Sequence, residues 1–134
     1  MNVRDLTLFL GLQLFAVIWA GICFSFIESR LLAGALAGGY FVLSGLFMAW
    51  RSWRWQNKWR SATIYPLFVH VFAISLPMVV ARFMQAGTGF EAVTILGLGG
   101  PTFHRISSWV FGVLVLATLI DLIRLRRAAK TARA

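Results

Sequence analysis

The amino-acid sequence predicts an all-α integral membrane protein. Four transmembrane helices form an up-down bundle, both termini are cytoplasmic, and residues 1–134 make one membrane domain. Three observations predict this class. Hydrophobic residues make up 60% of the chain and charged residues 13%, about half the ~25% charge of an ordinary soluble domain. Four apolar stretches each approach the ~20 residues that carry a helix across a ~30 Å hydrocarbon layer. If those four alternate in direction, ten of the 13 Lys and Arg residues fall on one side. A soluble chain of this length has too much surface for its volume to hide so many apolar side chains. Soluble enzymes and disordered tails are thereby excluded. Cys23 has no second cysteine to pair with, which excludes a disulfide-stapled secreted module. Strands of about ten alternating residues, the mark of a membrane barrel, are absent from the sequence.

The first span covers residues 6–26 and carries no charge. Its apolar run exceeds the ~7–15 residues of a signal-peptide core, and Ile22 is too large to precede a lipoprotein cysteine. The span is therefore read as uncleaved and Cys23 as a buried, inert thiol. Ile27-Glu28-Ser29-Arg30 is short enough to force the first two spans into an antiparallel hairpin. The second span, 31–50, contains Gly34, Gly38 and Gly45 on one helical stripe, a GxxxG pattern that lets another helix approach closely. Packing against the small residues Gly11, Ala16 and Ala20 of the first span is one reading; self-association or docking in a larger complex is the other.

Between the second and third spans, Trp50, Trp53, Arg54, Trp55, Lys58, Trp59 and Arg60 interleave indoles with cations. Joined directly to two spans, this loop stays at the membrane surface. There its tryptophans sit at headgroup level and its cations meet anionic lipid. Docking of a partner is the alternative, and nucleic acid is not expected. The third span, 62–81, carries Pro66 and Pro77, each removing a helix hydrogen bond and freeing the carbonyls of Ala62 and Ala73. His70 lies between them, an ionisable group at membrane depth and hence a candidate functional residue. Gln13, Ser44 and Thr118 fall at similar depth and are its expected hydrogen-bond partners.

The long segment from Arg82 to Arg105 is rich in glycine, yet Phe90–Leu96 is too apolar for a free loop. It is expected to form a short interfacial helix or to dip back against the bundle. The fourth span runs over 106–123, followed by a basic cytoplasmic tail, 124–134. Asp121 is expected to pair with Arg124 or a neighbouring cation. With both termini and the middle loop cationic, the positive-inside rule sets the orientation and a bacterial inner membrane is the expected location.

Candidate chemistry is sparse. Asp5, Glu28, Glu91 and Asp121 are scattered at span edges, no Cys/His cluster has metal spacing, and no nucleophile-base pair can be assembled. An enzyme acting alone is not expected. The leading expectation is an accessory or assembly subunit packed against a larger membrane protein or complex, or against itself. His104-Arg105-Ile106-Ser107 resembles the His-Arg-x-Ser segment of the cytochrome b anchor subunits of succinate dehydrogenases. That motif sits at an early span of the family, whereas here it opens the last. The resemblance implies a redox or quinone-associated anchor, with His70, His104, Arg105 and Ser107 as candidate cofactor-binding residues for quinone or haem. No cofactor follows from composition or spacing alone. A small dimeric transporter, with a site at Pro66, His70 and Pro77, is the third expectation.

Overall fold

Four helices carry the architecture of the computed structural model, which describes residues 1–132: α1 (Val3–Phe26), α2 (Arg30–Trp53), α3 (Ile64–Met84) and α4 (Gly100–Thr131). All four are long and apolar enough to cross a membrane. Arg133 and Ala134, the end of the expected basic tail, lie outside the described residues. α1 begins before the apolar run because the Asn2 side chain accepts the Asp5 N–H at 2.7 Å and caps it. Ser29 does the same for α2, accepting from Leu32 at 3.3 Å. The link between them is so short that α1 and α2 pack side by side. The Trp19 indole donates to the Leu36 carbonyl at 3.3 Å, and the Tyr40 hydroxyl to Leu12 at 3.4 Å. α2 continues to Trp53, so the start of the expected surface loop is helical.

α3 departs from the expected pair of proline breaks. Pro66 falls in its first turn, where a missing N–H needs no partner, and breaks nothing. From Val69 to Ser75 the helix widens to π register, the Leu76 N–H bonding the Val71 carbonyl. Pro77 follows at once. It has no N–H to give Ala73 and its ring crowds the preceding turn, and the wider register takes up that strain.

Of the two forms expected for the segment before α4, it takes the second and dips back against the helices. A single 3₁₀ turn (Phe90–Ala92) leads into a small antiparallel hairpin, β1 (Thr94–Ile95) and β2 (Leu98–Gly99). Its two turn residues, Leu96 and Gly97, take φ of 50° and 80°, the left-handed geometry of a two-residue hairpin turn. The hairpin folds back on the helices. Val93 and Ile95 are buried against Ile74 and Phe103, and the Gln85 amide brackets Thr94 with bonds of 2.8 and 3.0 Å. Gly100 admits no larger residue, because a Cβ there would run into the Phe90 carbonyl oxygen. α4 starts at this point, with Pro101 in its first turn, and remains helical through the basic residues to Thr131.

The main core gathers Leu6, Phe9, Ile64, Leu67, Val71 and Leu114. Three buried polar groups lock the helices around it. Asp5 takes Arg51 Nε and Nη2, both at 2.8 Å, on one carboxylate oxygen and the Trp55 indole N–H at 2.8 Å on the other. Trp55 also stacks on Phe9, with ring centroids 5.3 Å apart. Its side chain is thus part of the core, which corrects its expected place at the lipid interface. An indole beside a buried carboxylate gains a charge-assisted bond that headgroup water would weaken. Asp121 is the second lock. One of its oxygens accepts Ser61 Oγ at 2.6 Å, Thr63 N at 2.9 Å and Thr63 Oγ1 at 2.8 Å. Arg124, its expected partner, stands 3.9 Å from the other oxygen and is mostly exposed. A carboxylate from α4 therefore caps the start of α3, where unpaired N–H groups favour negative charge. Gln13 donates to Thr118 Oγ1 at 3.0 Å and ties α1 to α4.

Candidate functional site: a cavity among the four helices

The π-helical stretch decides where the site lies. Register i→i+5 stacks residues five apart, and Ser75 Oγ sits 3.1 Å from His70 Nε2. The expected partners of His70 are elsewhere: Gln13 and Thr118 bond each other, and Ser44 returns its hydroxyl to Tyr40 and Phe41 of its own helix. The imidazole is 3% exposed, edge-on to Phe41 at 5.9 Å and tilted on Phe111 at 5.3 Å. Its Nδ1 is buried without a hydrogen-bond partner.

Next to this histidine the helices part around a cavity of about 320 Å³. The glycine stripe shapes one wall, though not as expected. Gly38 and Gly45 face α3 rather than α1. An added Cβ would come within 2.8 Å of Val79 Cγ2 at Gly38 and 2.6 Å of Val71 Cγ2 at Gly45. Only Gly34 looks toward α1, 4.0 Å from the Phe24 ring. Close approach of α2 and α3 at these points, with no side chains on Gly34 and Gly38, leaves the space open. α1 contributes Val17, Ala20 and Phe24 to the rim, and the Phe41 and Phe111 rings close it beside His70.

The polar lining comes from two helices. α3 supplies His70, Ser75 and Arg82; α4 supplies His104, Ser107 and Ser108. Three of the four residues singled out from the sequence, His70, His104 and Ser107, therefore meet in one cavity. Arg105 does not line it; it lies in an adjoining surface groove with Pro101, Trp109 and Gly112, which shares His104 and Ser108 with the cavity. Arg82 takes its place as the cation of the cavity. Its guanidinium carbon lies 5.5 Å from the centre of the Phe90 ring, and its Nη1 is buried without a partner. Sequence reasoning counted Arg82 only as a loop charge. The available signal was its position one turn beyond the Pro77 break, on the helix that holds His70.

At the far end of the helices Trp50, Trp53 and Trp59 are exposed, with 53%, 57% and 56% of their surface free. Arg54 lies over the Trp50 ring at 4.4 Å and Lys58 over Trp53 at 4.1 Å. Arg60 is exposed beside them.

Chemically, the cavity combines an apolar wall with hydroxyl, imidazole and guanidinium donors and contains no carboxylate. It can hold the hydrogen-bond-accepting head of a lipophilic molecule. No family model, curated protein or solved structure matches the chain.

Proposed function

We propose that this chain is a four-span, up-down protein of a bacterial inner membrane that serves as a ligand-binding accessory subunit beside a larger membrane partner. Both termini and the Trp-rich loop face the cytoplasm, where Trp50, Trp53, Trp59 and their cations rest on anionic lipid. The cation distribution supports that orientation. One observation carries the functional reading: an unpartnered, buried His70 Nδ1 on the wall of a 320 Å³ cavity. Leaving a buried polar atom unpaired costs about 1–3 kcal/mol, a cost that a head group bound beside His70 relieves if the imidazole turns toward it. Asp5 and Asp121 are both engaged in holding helices together, so these two of the four acids serve architecture.

Native mass spectrometry of the full chain, released from its own membranes in mild detergent, tests this reading. The protein should retain a lipophilic molecule, and Ser107→Phe, which fills the cavity, should lose it while still unfolding cooperatively, at a temperature lowered by the lost ligand. Equal occupancy in both proteins refutes the reading.

The quinone-associated anchor is a second reading, and the meeting of His70, His104 and Ser107 favours it. A quinone carbonyl accepts hydrogen bonds and its ring suits the aromatic wall. Saturable binding of decylubiquinone, weakened by His70→Leu, is the expected result; binding without that dependence refutes it.

A further inference from the structure

We propose that the cavity takes a single-chain amphiphile with an anionic head, a carboxylate or a phosphate monoester, and that Arg82 recognises the charge. The proposal rests on the cavity being a binding site and adds the class of its ligand.

Arg82 has no ion-pair partner among the described residues. The ion pairs among the described residues are Arg51 with Asp5 and Arg124 with Asp121, both at the other end of the helices. The cavity lining contains no Asp or Glu. Arg82 Nη1 is nonetheless buried and unbonded, with the Phe90 ring as its close neighbour. A half-buried guanidinium with one nitrogen shielded from water gains most from an anion that offers two oxygens to its fork. His104 and Ser107 line the same cavity from α4 and add donors for the remaining oxygens. Ser108 adds less, because its hydroxyl already goes to the His104 carbonyl at 3.1 Å.

The rest of the cavity is apolar, walled by Val17, Phe24, Met78 and Phe111. A volume of about 320 Å³ lies at the low end of the ~300–1,000 Å³ typical of ligand sites. It is large enough for a head group and part of one chain, and too small to take in both chains of a phospholipid. Val17 and Phe24 on the rim are themselves 55% and 45% exposed on the α1 surface, so a chain can slide in sideways from the lipid.

The test is equilibrium binding of radiolabelled oleate to the detergent-solubilised full chain at alkaline pH. Oleyl phosphate and oleyl alcohol serve as competitors with the same chain. Oleate and oleyl phosphate should compete at least about tenfold better than oleyl alcohol, the difference expected for a charge-assisted hydrogen bond. Which of the two wins identifies carboxylate or phosphate as the preferred head. Arg82→Gln should bring both down to the level of oleyl alcohol, and Arg82→Lys should restore part of the preference. If oleyl alcohol competes as well as the anions against the unaltered chain, or if Arg82→Gln keeps the preference, the anionic assignment is overturned and the cavity remains a site for a neutral lipophile. If none of the three binds, the cavity reading itself falls. The comparison in the unaltered chain decides the matter even where Arg82→Gln does not fold.

Discussion

Adding one methyl group to a glycine of α2 gives different results on different faces of the helix. At Gly39 a Cβ meets nothing within 4 Å, whereas at Gly45 it meets Val71 Cγ2 at 2.6 Å and at Gly38 Val79 Cγ2 at 2.8 Å. Alanine in place of glycine inside a helix gains roughly 0.5–1 kcal/mol from reduced backbone freedom. That gain is common to all three sites and cancels in a comparison. The overlap does not cancel: a valine on a helix is held near one rotamer, so its methyl cannot swing aside cheaply. Forcing a methyl into a packed contact costs typically 1–3 kcal/mol. Gly39→Ala should therefore stabilise the protein slightly, and Gly45→Ala should be less stable than Gly39→Ala by about 1–3 kcal/mol. Gly38→Ala should fall nearer to Gly39→Ala, because the cavity beside it lets Val79 shift. Reversible unfolding in mixed detergent micelles, followed by tryptophan fluorescence, measures all three. Equal shifts for Gly45→Ala and Gly39→Ala would refute the contact between α2 and α3.

Other perturbations follow from the buried carboxylates and the charge asymmetry. Asp121→Ala strands the donors of Ser61 and Thr63 and should lose about 1–3 kcal/mol in the same unfolding assay; Asp121→Asn keeps an acceptor oxygen and should recover most of it, and equal loss in the two would deny the cap on α3. Trp55→Phe retains the stack on Phe9 but removes the donor to Asp5, for an expected loss of about 1.5–3 kcal/mol; Trp53→Phe, on an exposed indole, should stay within about 0.5 kcal/mol, and the reverse order would place Trp55 at the interface after all. In intact cells an impermeant maleimide should label cysteine at Thr88 but not at Asn2 or Ala134, in a background lacking Cys23; outside labelling of either terminus would overturn the proposed orientation.

Some of this was legible one residue at a time. Hydropathy and length are sums over consecutive residues, and the four spans were visible because each sum is complete within its own segment. The helices then overran those spans, from Asn2 at one end and through the basic residues to Thr131 at the other. Caps and charged helix ends are helical without being apolar. Local chemistry also marked His70, an ionisable group inside an apolar run, whereas His104 and Ser107 stood out only through a resemblance to a family motif.

The contacts were decided only in three dimensions. Each helical residue turns the surface by about 100°, so partnership depends on rotations no single segment specifies. Trp53 and Trp55 look alike in the sequence; one is exposed and the other buried because Asp5, fifty residues away, offers an acceptor at one position. The same holds for the cavity. The π register before Pro77 changes the face that the following turn presents, which brings Ser75 to His70. Arg82, about two turns further along, joins the same cavity as His104, while Arg105 lines a neighbouring surface groove that shares His104 and Ser108 with it. Hydrophobicity set which segments leave water, and only the packing of one helix on another set which side chains meet.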